Sequence, residues 1–337
     1  MASRAGWDRV RRPPLVLAYH RVAELTADPQ RLAVSPANFS AHLDVLARLA
    51  RPVSLERLTS ALMDRRLSPN TVAVTFDDGY ADNLARAKPL LERHEIPAIV
   101  FVATGFLGTE HGFWWDELER LVLLPDKLPP KLRLEVTGHV HQWDLGSPVA
   151  SDAHSRSGSR SGRVLAPPEP DARQSLYQHL SALLRHLDAD ERSSALDELR
   201  IWSPNRDASA VPVSDRPLLP EEVAALAAGG LVEIGSHTHT HAALAGLPAE
   251  RKSIEIEFSR ARLEGILDRP VTSFAYPYGS FDSETTAVVR ALGFVRACTT
   301  RPTVIRPDSD PLQIPRFVVQ DWDGDEFERR LRRLFSP

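Results

Sequence analysis

The sequence predicts an α/β protein in which helices cover a parallel β-sheet. Short runs of β-branched and apolar residues recur along the chain, and stretches with helical periodicity separate them, as in a parallel sheet with crossover helices. At 337 residues the chain is long enough to bury one large core, and barrels of alternating strands and helices reach this size. We therefore expect one domain, residues 1–337, interrupted by an insertion.

Seven runs are candidates for strands, and the gaps between them fit helices. The predicted strands are 15–19, 71–76, 98–103, 231–236, 272–276, 295–299 and 314–319. A first helix should begin at Ser35 as N-cap and Pro36 as first helical residue. Further helices are predicted over 82–94, 220–228, 249–267, 283–292 and 325–334. The helix over 249–267 should carry its apolar face on Ile254, Ile256, Phe258, Leu263 and Ile266.

The segment 124–216 breaks this alternation and is the predicted insertion. It contains a hairpin pattern (132–136 with 140–143), and one or two amphipathic helices are expected over 172–199. Residues 147–170 are rich in Ser, Arg, Gly and Pro, so they offer too little apolar surface to offset their ordering entropy. We expect that stretch to be a mobile loop.

Charge and cysteine content exclude several classes of protein. The formal net charge of -4, with both signs mixed, gives no reason to expect nucleic acid or an anionic membrane as a partner. The single cysteine, Cys298, cannot form an internal disulfide or a thiolate zinc cluster. Any metal must therefore be held by histidine and carboxylate side chains.

Apolar segments are too short to direct the chain into or across a membrane. The stretch 15–18 is shorter than a signal-peptide core, and no other run approaches the roughly 20 apolar residues that span a bilayer. We expect a cytoplasmic protein, with peripheral association at a membrane as the alternative. The sequence indicates no oligomeric state.

Polar motifs follow four of the predicted strands. Reactive groups in a barrel of parallel strands gather at the carboxyl ends of those strands. The residues concerned are His20 after the first strand, Asp77 and Asp78 after the second, His237 after the fourth, and Pro277 with Tyr278 after the fifth. We expect them to share one edge of the sheet.

The histidine motif has the spacing of a metal site. If the chain turns helical after the strand, His237 and His241 lie on one face at i and i+4 and can share an ion, while His239 points elsewhere. For an isolated motif, solvated histidines at a polar helix start are the alternative.

The acidic motif supplies a second kind of group. Neighbouring side chains diverge, so one of Asp77 and Asp78 can ligate a metal while the other faces a substrate, and Gly79 suits a tight turn. An acidic turn without chemistry is the alternative. The two motifs together favour a metal-dependent hydrolase.

Three motifs resemble the signatures of a known family. Phe76-Asp77-Asp78-Gly79-Tyr80, His237-Thr238 with His241, and Phe274-Ala275-Tyr276-Pro277-Tyr278-Gly279 are similar to motifs of the polysaccharide deacetylase family, also called the NodB homology or carbohydrate esterase 4 family. The resemblance implies a distorted (β/α)7 TIM-like barrel. It also implies a divalent metal, most often Zn²⁺ with Co²⁺, Ni²⁺ or Mn²⁺ as alternatives, bound by Asp78, His237 and His241.

The same resemblance implies the catalytic roles. Asp77 matches the general base of the family, and the backbone N–H of Tyr278 matches its oxyanion donor. A bound divalent metal polarises a carbonyl group and makes water a better nucleophile. The base would take the proton of the attacking water.

The chain departs from the family pattern in two places. Ala275 stands where many members have an arginine that orients the base, and Arg316 is our candidate replacement, with a structural salt bridge as the alternative. After Cys298 the chain has no histidine to act as general acid. His20, in Tyr19-His20-Arg21-Val22, resembles the N-terminal histidine of circularly permuted members that deacetylate poly-N-acetylglucosamine-type exopolysaccharides, so we assign it that role; a buried core histidine is the alternative.

Aromatic residues near the motifs could contact a sugar. The candidates for substrate binding are Tyr80, Pro277 and the group Trp114, Trp115 and Asp116, whose indole rings suit the apolar faces of pyranose rings. Packing of the insertion is the alternative for the tryptophans.

The sequence therefore predicts a hydrolase that removes N-acetyl groups from amino sugars of a glycan, either a polysaccharide or an oligosaccharide precursor, and releases acetate. An O-acetyl esterase, or a deformylase acting on a lipid-linked sugar, would use the same carbonyl chemistry. A non-catalytic glycan-binding barrel is the alternative from another class, and the intact Asp77 argues against it.

Overall fold

The computed structural model describes residues 12–25, 27–109, 112–146, 171–205 and 215–336. The chain forms two compact units: the first unit is Met1–Thr109 with Ser214–Pro337, and the second unit is Glu110–Val213. The predicted insertion, 124–216, and the single-domain assignment remain predictions. The predicted mobile loop, 147–170, lies outside the described residues.

The strands are short. In chain order they are β1 (Leu15–Tyr19), β2 (Arg21–Val22), β3 (Ala33–Val34), β4 (Arg51–Pro52), β5 (Thr71–Phe76), β6 (Ala98–Val102), β7 (Lys131–Val136), β8 (His139–Asp144), β9 (Val232–Ser236), β10 (Ser273–Ala275), β11 (Arg296–Cys298) and β12 (Phe317–Val318). All seven runs predicted as strands of the barrel are confirmed.

The α-helices lie mostly between the strands of the first unit. In chain order they are α1 (Pro36–Leu49), α2 (Leu55–Met63), α3 (Lys88–Arg93), α4 (Trp114–Val122), α5 (Ala172–Leu184), α6 (Ala189–Trp202), α7 (Pro220–Ala227), α8 (Ala249–Leu267), α9 (Ser283–Ala291) and α10 (Gly324–Leu334). Ser35 caps α1 by accepting a hydrogen bond from the Asn38 N–H. Part of the helix predicted over 82–94 is a π-helical turn, Asn83–Ala87, and α2 and α4 were not predicted.

The sheet of the first unit is parallel and curls into a barrel. Its strand order is β11-β10-β9-β6-β5-β1-β12, with β4 paired to the start of β5. The segment that leads into β12 joins the two edges: the N–H of Ile314 donates to Ala297 at 2.8 Å, and Phe317 pairs with Leu17 of β1. The predicted (β/α)7 barrel is confirmed, and one of its strands, β12, is only two residues long.

Alternate strand residues face two different cores. Val16 and Ala73 belong to a smaller cluster of inward-facing residues, whereas Leu17 and Val74 pack in the larger cluster between the sheet and the helices. Because side chains alternate along a strand, Thr75 and Asp77 continue the inward row of Ala73. This alternation directs Asp77 towards the barrel axis.

The predicted apolar face of α8 is wrong in part. Ile254 and Phe258 are 40% and 61% exposed. The buried face carries Lys252 and Ser259 together with Ile256 and Leu263, at steps of three and four residues. Those two polar residues can be buried because their groups are paired: Lys252 Nζ with Asp282 and Glu284, and Ser259 Oγ with Ser236 Oγ.

The second unit contains the predicted hairpin and helices. Strands β7 and β8 pair antiparallel from Lys131 with Asp144 to Val136 with His139. Helices α5 and α6 occupy the stretch where one or two helices were predicted. Arg200 Nη2 donates to Glu117 at 2.8 Å and so joins α6 to α4.

Across the described ranges, no helix has both the length and the apolar character needed to cross a bilayer.

Candidate active site and metal centre

The two adjacent carboxylates diverge, as predicted. The β5 strand ends at Phe76, and the backbone then turns through Asp78 at φ 72° and Gly79 at φ 90°. A Cβ on residue 79 would also lie 3.0 Å from Val102 Cγ1, so both conformation and space favour glycine there. The turn directs Asp77 into the barrel and Asp78 towards the histidines.

Asp78, His237 and His241 form a buried cluster with the composition of a metal site. Asp78 Oδ1 lies 3.7 Å from His237 Nε2 and 3.3 Å from His241 Nε2, and one ligand atom from each residue fits within 4.8 Å of the others. Ligands placed tetrahedrally at ~2.1 Å from an ion lie about 3.4 Å apart. The three side chains therefore fit one divalent ion.

The tautomer of His237 is fixed by the backbone. His237 Nδ1 lies 2.8 Å from the carbonyl oxygen of Ala275. Because a carbonyl can only accept, Nδ1 carries the proton and Nε2 presents its lone pair to the cluster. Such a hydrogen bond on the far side of the ring is typical of histidine ligands to metals.

The chain does not turn helical after β9, so the predicted route to the histidine pair is wrong. Residues 237–240 are irregular, and both Thr238 and His241 have positive φ, at 63° and 56°. The two rings still meet, with centroids 4.8 Å apart. A β-branched residue rarely adopts positive φ, so tertiary contacts must hold the ligand loop, residues 237–241, in this form.

One of these contacts comes from the loop after β6. The N–H groups of Thr104 and Gly105 donate to the carbonyls of Thr238 at 3.2 Å and His239 at 2.7 Å. His239 itself turns away from the cluster, since its Nδ1 lies 3.1 Å from Thr104 Oγ1. Residue 105 has to be glycine, because a Cβ would lie 2.6 Å from the His239 carbonyl oxygen.

Replacing Gly105 by Ala should therefore destabilise the protein by about 1–3 kcal/mol and weaken metal binding. The added methyl would push the His239 carbonyl away and break the 2.7 Å hydrogen bond. Gly265→Ala is the control, since a Cβ there meets nothing within 4 Å. Thermal unfolding and zinc titration would measure both effects, and equal behaviour of the two variants would contradict the prediction.

Asp77 is paired with a fully buried arginine. Arg316 Nη1 and Nη2 donate to Asp77 Oδ1 and Oδ2, each at 2.7 Å, and Nη1 also donates to Thr75 Oγ1 at 3.0 Å. Arg316 Nε donates to the carbonyl of Thr299 at 2.9 Å. Arg316, proposed from sequence to replace the arginine missing at Ala275, thus contacts both carboxylate oxygens of Asp77.

The pairing keeps Asp77 ionised. Burial alone would raise the pKa of Asp77, but the Arg316 guanidinium, with smaller contributions from His237 and His20, lowers it to about 2. Asp77 is therefore a carboxylate at neutral pH, able to accept a proton and fixed in orientation by two charge-assisted hydrogen bonds.

His20 also lies near the carboxylate of Asp77. Its Nε2 is 4.0 Å from Asp77 Oδ2, and its side chain is 17% exposed. Burial lowers the pKa of His20 to about 4, against the opposing effect of Asp77. The backbone of this stretch is held by Asn83 Nδ2, which donates to the His20 carbonyl at 2.9 Å, and by Asp82, which accepts from the Val22 N–H at 3.1 Å.

The motif after β10 brings Tyr278 to the cluster. Tyr278 has φ 57° and ψ 6°, and its ring packs edge-on against His241 with centroids 4.5 Å apart. Pro277 is buried in the same turn. The turn is closed by the Gly279 N–H, which donates to the Tyr276 carbonyl at 2.9 Å.

The remaining predicted substrate contacts offer little accessible aromatic surface. Tyr80 is fully buried, with the guanidinium carbon of Arg21 4.3 Å from its ring centroid. In the second unit, Trp114 and Trp115 are 5% and 3% exposed, and Asp116 is half-buried. The roles predicted for these residues in sugar binding remain predictions.

Several residues that build the site were not predicted from sequence. They are Thr75, Asp82, Asn83, Gly105, Glu255 and Thr299. Asp82 and Asn83 closely follow the acidic motif, which is a usable signal. Thr75 directly precedes that motif, whereas Gly105, Glu255 and Thr299 carry no such signal, because their partners lie on other elements of the fold.

The fold and site define a class of protein: a (β/α)7 barrel with a candidate Asp-His-His metal centre, and a second, arginine-paired carboxylate, at the carboxyl ends of its strands. The family model described as polysaccharide deacetylase matches residues 64–124 and 195–297. The chain belongs to the polysaccharide deacetylase family.

Individual relatives are distant. A putative polysaccharide deacetylase, YxkH of Bacillus subtilis (strain 168), is 25% identical over 121 residues, which are 35% of this chain and 42% of the relative. The match thus spans less than half the length of that relative.

Two solved structures share the fold over nearly their whole lengths. IcaB from Ammonifex degensii has a TM-score of 0.59 and 19% identity, covering 97% of this chain and 98% of its own. The Streptococcus pyogenes deacetylase PplD, in complex with acetate, has a TM-score of 0.55 and 16% identity, covering 96% of this chain and 99% of its own.

Proposed function

We propose that this protein is a metal-dependent hydrolase that removes N-acetyl groups from amino sugars of a glycan and releases acetate. One observation carries the proposal: Asp77, ionised and held by Arg316, lies directly beside the Asp78, His237 and His241 cluster. A binding protein would not need a second, fixed carboxylate next to a ligand set. Membership of the polysaccharide deacetylase family supports the same reaction class.

Asp78, His237 and His241 would hold the metal. Two imidazoles and one carboxylate are a common ligand set of catalytic zinc, so Zn²⁺ is the expected ion, with Co²⁺, Ni²⁺ and Mn²⁺ as alternatives. When bound, such an ion supplies a Lewis acid that polarises the acetyl carbonyl and acidifies water.

The residues of the chain would then divide the proton transfers. Asp77 accepts the proton of the water that attacks the amide carbonyl, and Arg316 holds its carboxylate in place. The backbone N–H of Tyr278 stabilises the developing oxyanion. His20, whose Nε2 is 4.0 Å from Asp77 Oδ2, would pass to the departing amine nitrogen the proton that Asp77 took from the water, so that amide and water become amine and acetate and both side chains return to their starting states.

The type of glycan is part of the proposal. His20 directly follows β1 and lies 4.0 Å from Asp77. This placement supports the resemblance of the chain to the circularly permuted members of the family. The substrate would then be a polysaccharide of N-acetylated amino sugars or its oligosaccharide precursor. No specific observation favours an O-acetyl or formyl substrate.

The test is acetate release from N-acetylglucosamine oligomers by the zinc-loaded protein. We expect acetate release with Zn²⁺, loss of activity after chelation, and recovery when Zn²⁺ is restored. O-acetylated and N-formylated sugars serve as controls for the acyl group. Release of formate alone, or of acetate from esters alone, would reject N-deacetylation, and turnover unaffected by chelation would reject the metal.

A further inference from the structure

Glu255 makes three side-chain contacts with the ligand loop. This residue lies on α8, and its Oε2 accepts hydrogen bonds from the N–H of His239 at 3.0 Å and of Thr240 at 2.8 Å. Its Oε1 accepts from Thr240 Oγ1 at 2.7 Å. One half-buried carboxylate thus binds two consecutive peptide groups of the segment that separates His237 from His241.

The N–H groups of His239 and Thr240 take no part in the hydrogen bonding of the sheet. The ligand loop has positive φ at Thr238 and His241, so its N–H groups do not continue the sheet hydrogen bonding of β9. The carbonyls of Thr238 and His239 accept hydrogen bonds from the loop after β6. Glu255 supplies the acceptors that complete this arrangement from the α8 side.

The hydrogen bonds of Glu255 affect the position of His241 more than that of His237. His237 directly follows β9, and its own N–H donates to the Val102 carbonyl at 3.0 Å, so the sheet fixes its position. His241 lies beyond the bend, next to Thr240. Its position therefore depends on how firmly the backbone of Thr240 is held.

We propose that Glu255 is a positioning residue for the metal ligand His241. Its carboxylate fixes the backbone of the ligand loop and thereby sets the affinity of the metal centre. The inference rests on the metal site of the proposed function, but it concerns binding of the ion and does not depend on which glycan is hydrolysed.

The experiment measures zinc affinity by competition with a chromophoric chelator, without any glycan. Glu255→Ala should raise the zinc dissociation constant about 10–100-fold, the usual effect of removing a group that orients a metal ligand. The variant should still fold, because the His239 N–H also donates to the backbone carbonyl of Glu255 at 3.0 Å. Thermal unfolding of the metal-free proteins verifies this.

A conservative variant separates geometry from charge. In Glu255→Gln the amide oxygen can accept both N–H groups while the amide nitrogen donates to Thr240 Oγ1, so zinc affinity should stay within about 3-fold of wild type. Thr240→Val removes one contact, so its zinc affinity should lie between those of Glu255→Ala and Glu255→Gln. Glu257→Gln, at an exposed position on the same helix, controls for the loss of a negative charge.

The absorption spectrum of the cobalt-loaded proteins adds a second readout. Glu255→Ala should change the visible bands of bound Co²⁺, because a displaced His241 alters the coordination geometry. Wild-type zinc affinity in folded Glu255→Ala would overturn the proposal, as would equal losses in the Gln and Ala variants, or absence of zinc binding by the wild type. If zinc binding depends on Glu255 but no acetate is released, the proposed function fails while this inference stands.

Discussion

Replacement of Asp77 by Asn should lower the rate of acetate release by about 10²–10⁴-fold, with one zinc ion per chain retained. Asn is nearly isosteric but cannot accept a proton, and Asp77 is not one of the three residues of the metal cluster. The expected result is loss of turnover with normal zinc content. Both are measured on the same preparation, by acetate assay and by elemental mass spectrometry.

Asp78→Asn is the matched control, since it makes the same change one residue further along. It removes a charge from the metal cluster, so zinc should be lost together with activity. Full activity of the Asp77 variant would reject Asp77 as general base. Loss of zinc in both variants would instead place Asp77 among the ligands.

Replacement of Arg316 by Met should destabilise the fold by about 3–5 kcal/mol. Arg316 has no exposed surface, and its guanidinium group bonds to Asp77, Thr75 and Thr299. Removing the cation leaves the buried Asp77 carboxylate without its counter-charge. Denaturant unfolding at pH 7 measures the free energy of unfolding.

The loss of stability caused by Arg316→Met should become smaller as the pH falls. In the wild type the folded-state pKa of Asp77 is about 2, below the ordinary value of 3.8, so the pair stabilises the protein above about pH 4 and loses this contribution as the pH falls towards 2. In Arg316→Met, burial raises the pKa of Asp77, and protonation removes the unpaired charge. The gap between the two proteins should therefore narrow on acidification.

Arg316→Lys provides the control for charge without bidentate geometry. Lysine restores a cation but cannot donate to both carboxylate oxygens in the fixed geometry of a guanidinium group. We expect partial recovery of stability and slower turnover than wild type. A gap between wild type and Arg316→Met that is constant from pH 7 to pH 2 would show that the pair does not stabilise the fold.

The strands and the edge that carries the site could be predicted from sequence. Runs such as 15–19 and 71–76 are mostly apolar and buried along their whole length, because strands of a covered parallel sheet are buried on both faces. Polar residues that directly follow such runs, as Asp77 and His237 do, then lie at one edge by the geometry of parallel strands. Local patterns of residues are sufficient to locate this edge.

The apolar face of α8 could not be predicted in the same way. Ile254 and Phe258 have the expected spacing and are exposed, whereas Lys252 is buried because Asp282 and Glu284 accept from its ammonium group. A periodic pattern depends only on the hydrophobicity of each residue. It contains no information on ion-pair partners that another helix supplies.

The sequence by itself thus determined the α/β class, the positions of the barrel strands along the chain, and the identities of the acidic and histidine motifs, since each depends on neighbours within a few residues. Tertiary structure alone decided that Arg316 reaches Asp77 across 239 positions of sequence, and that Glu255 and Gly105 hold a ligand loop with two positive φ values. Closure of the barrel brings these distant groups together, and their hydrogen bonds offset a backbone conformation that local preferences oppose.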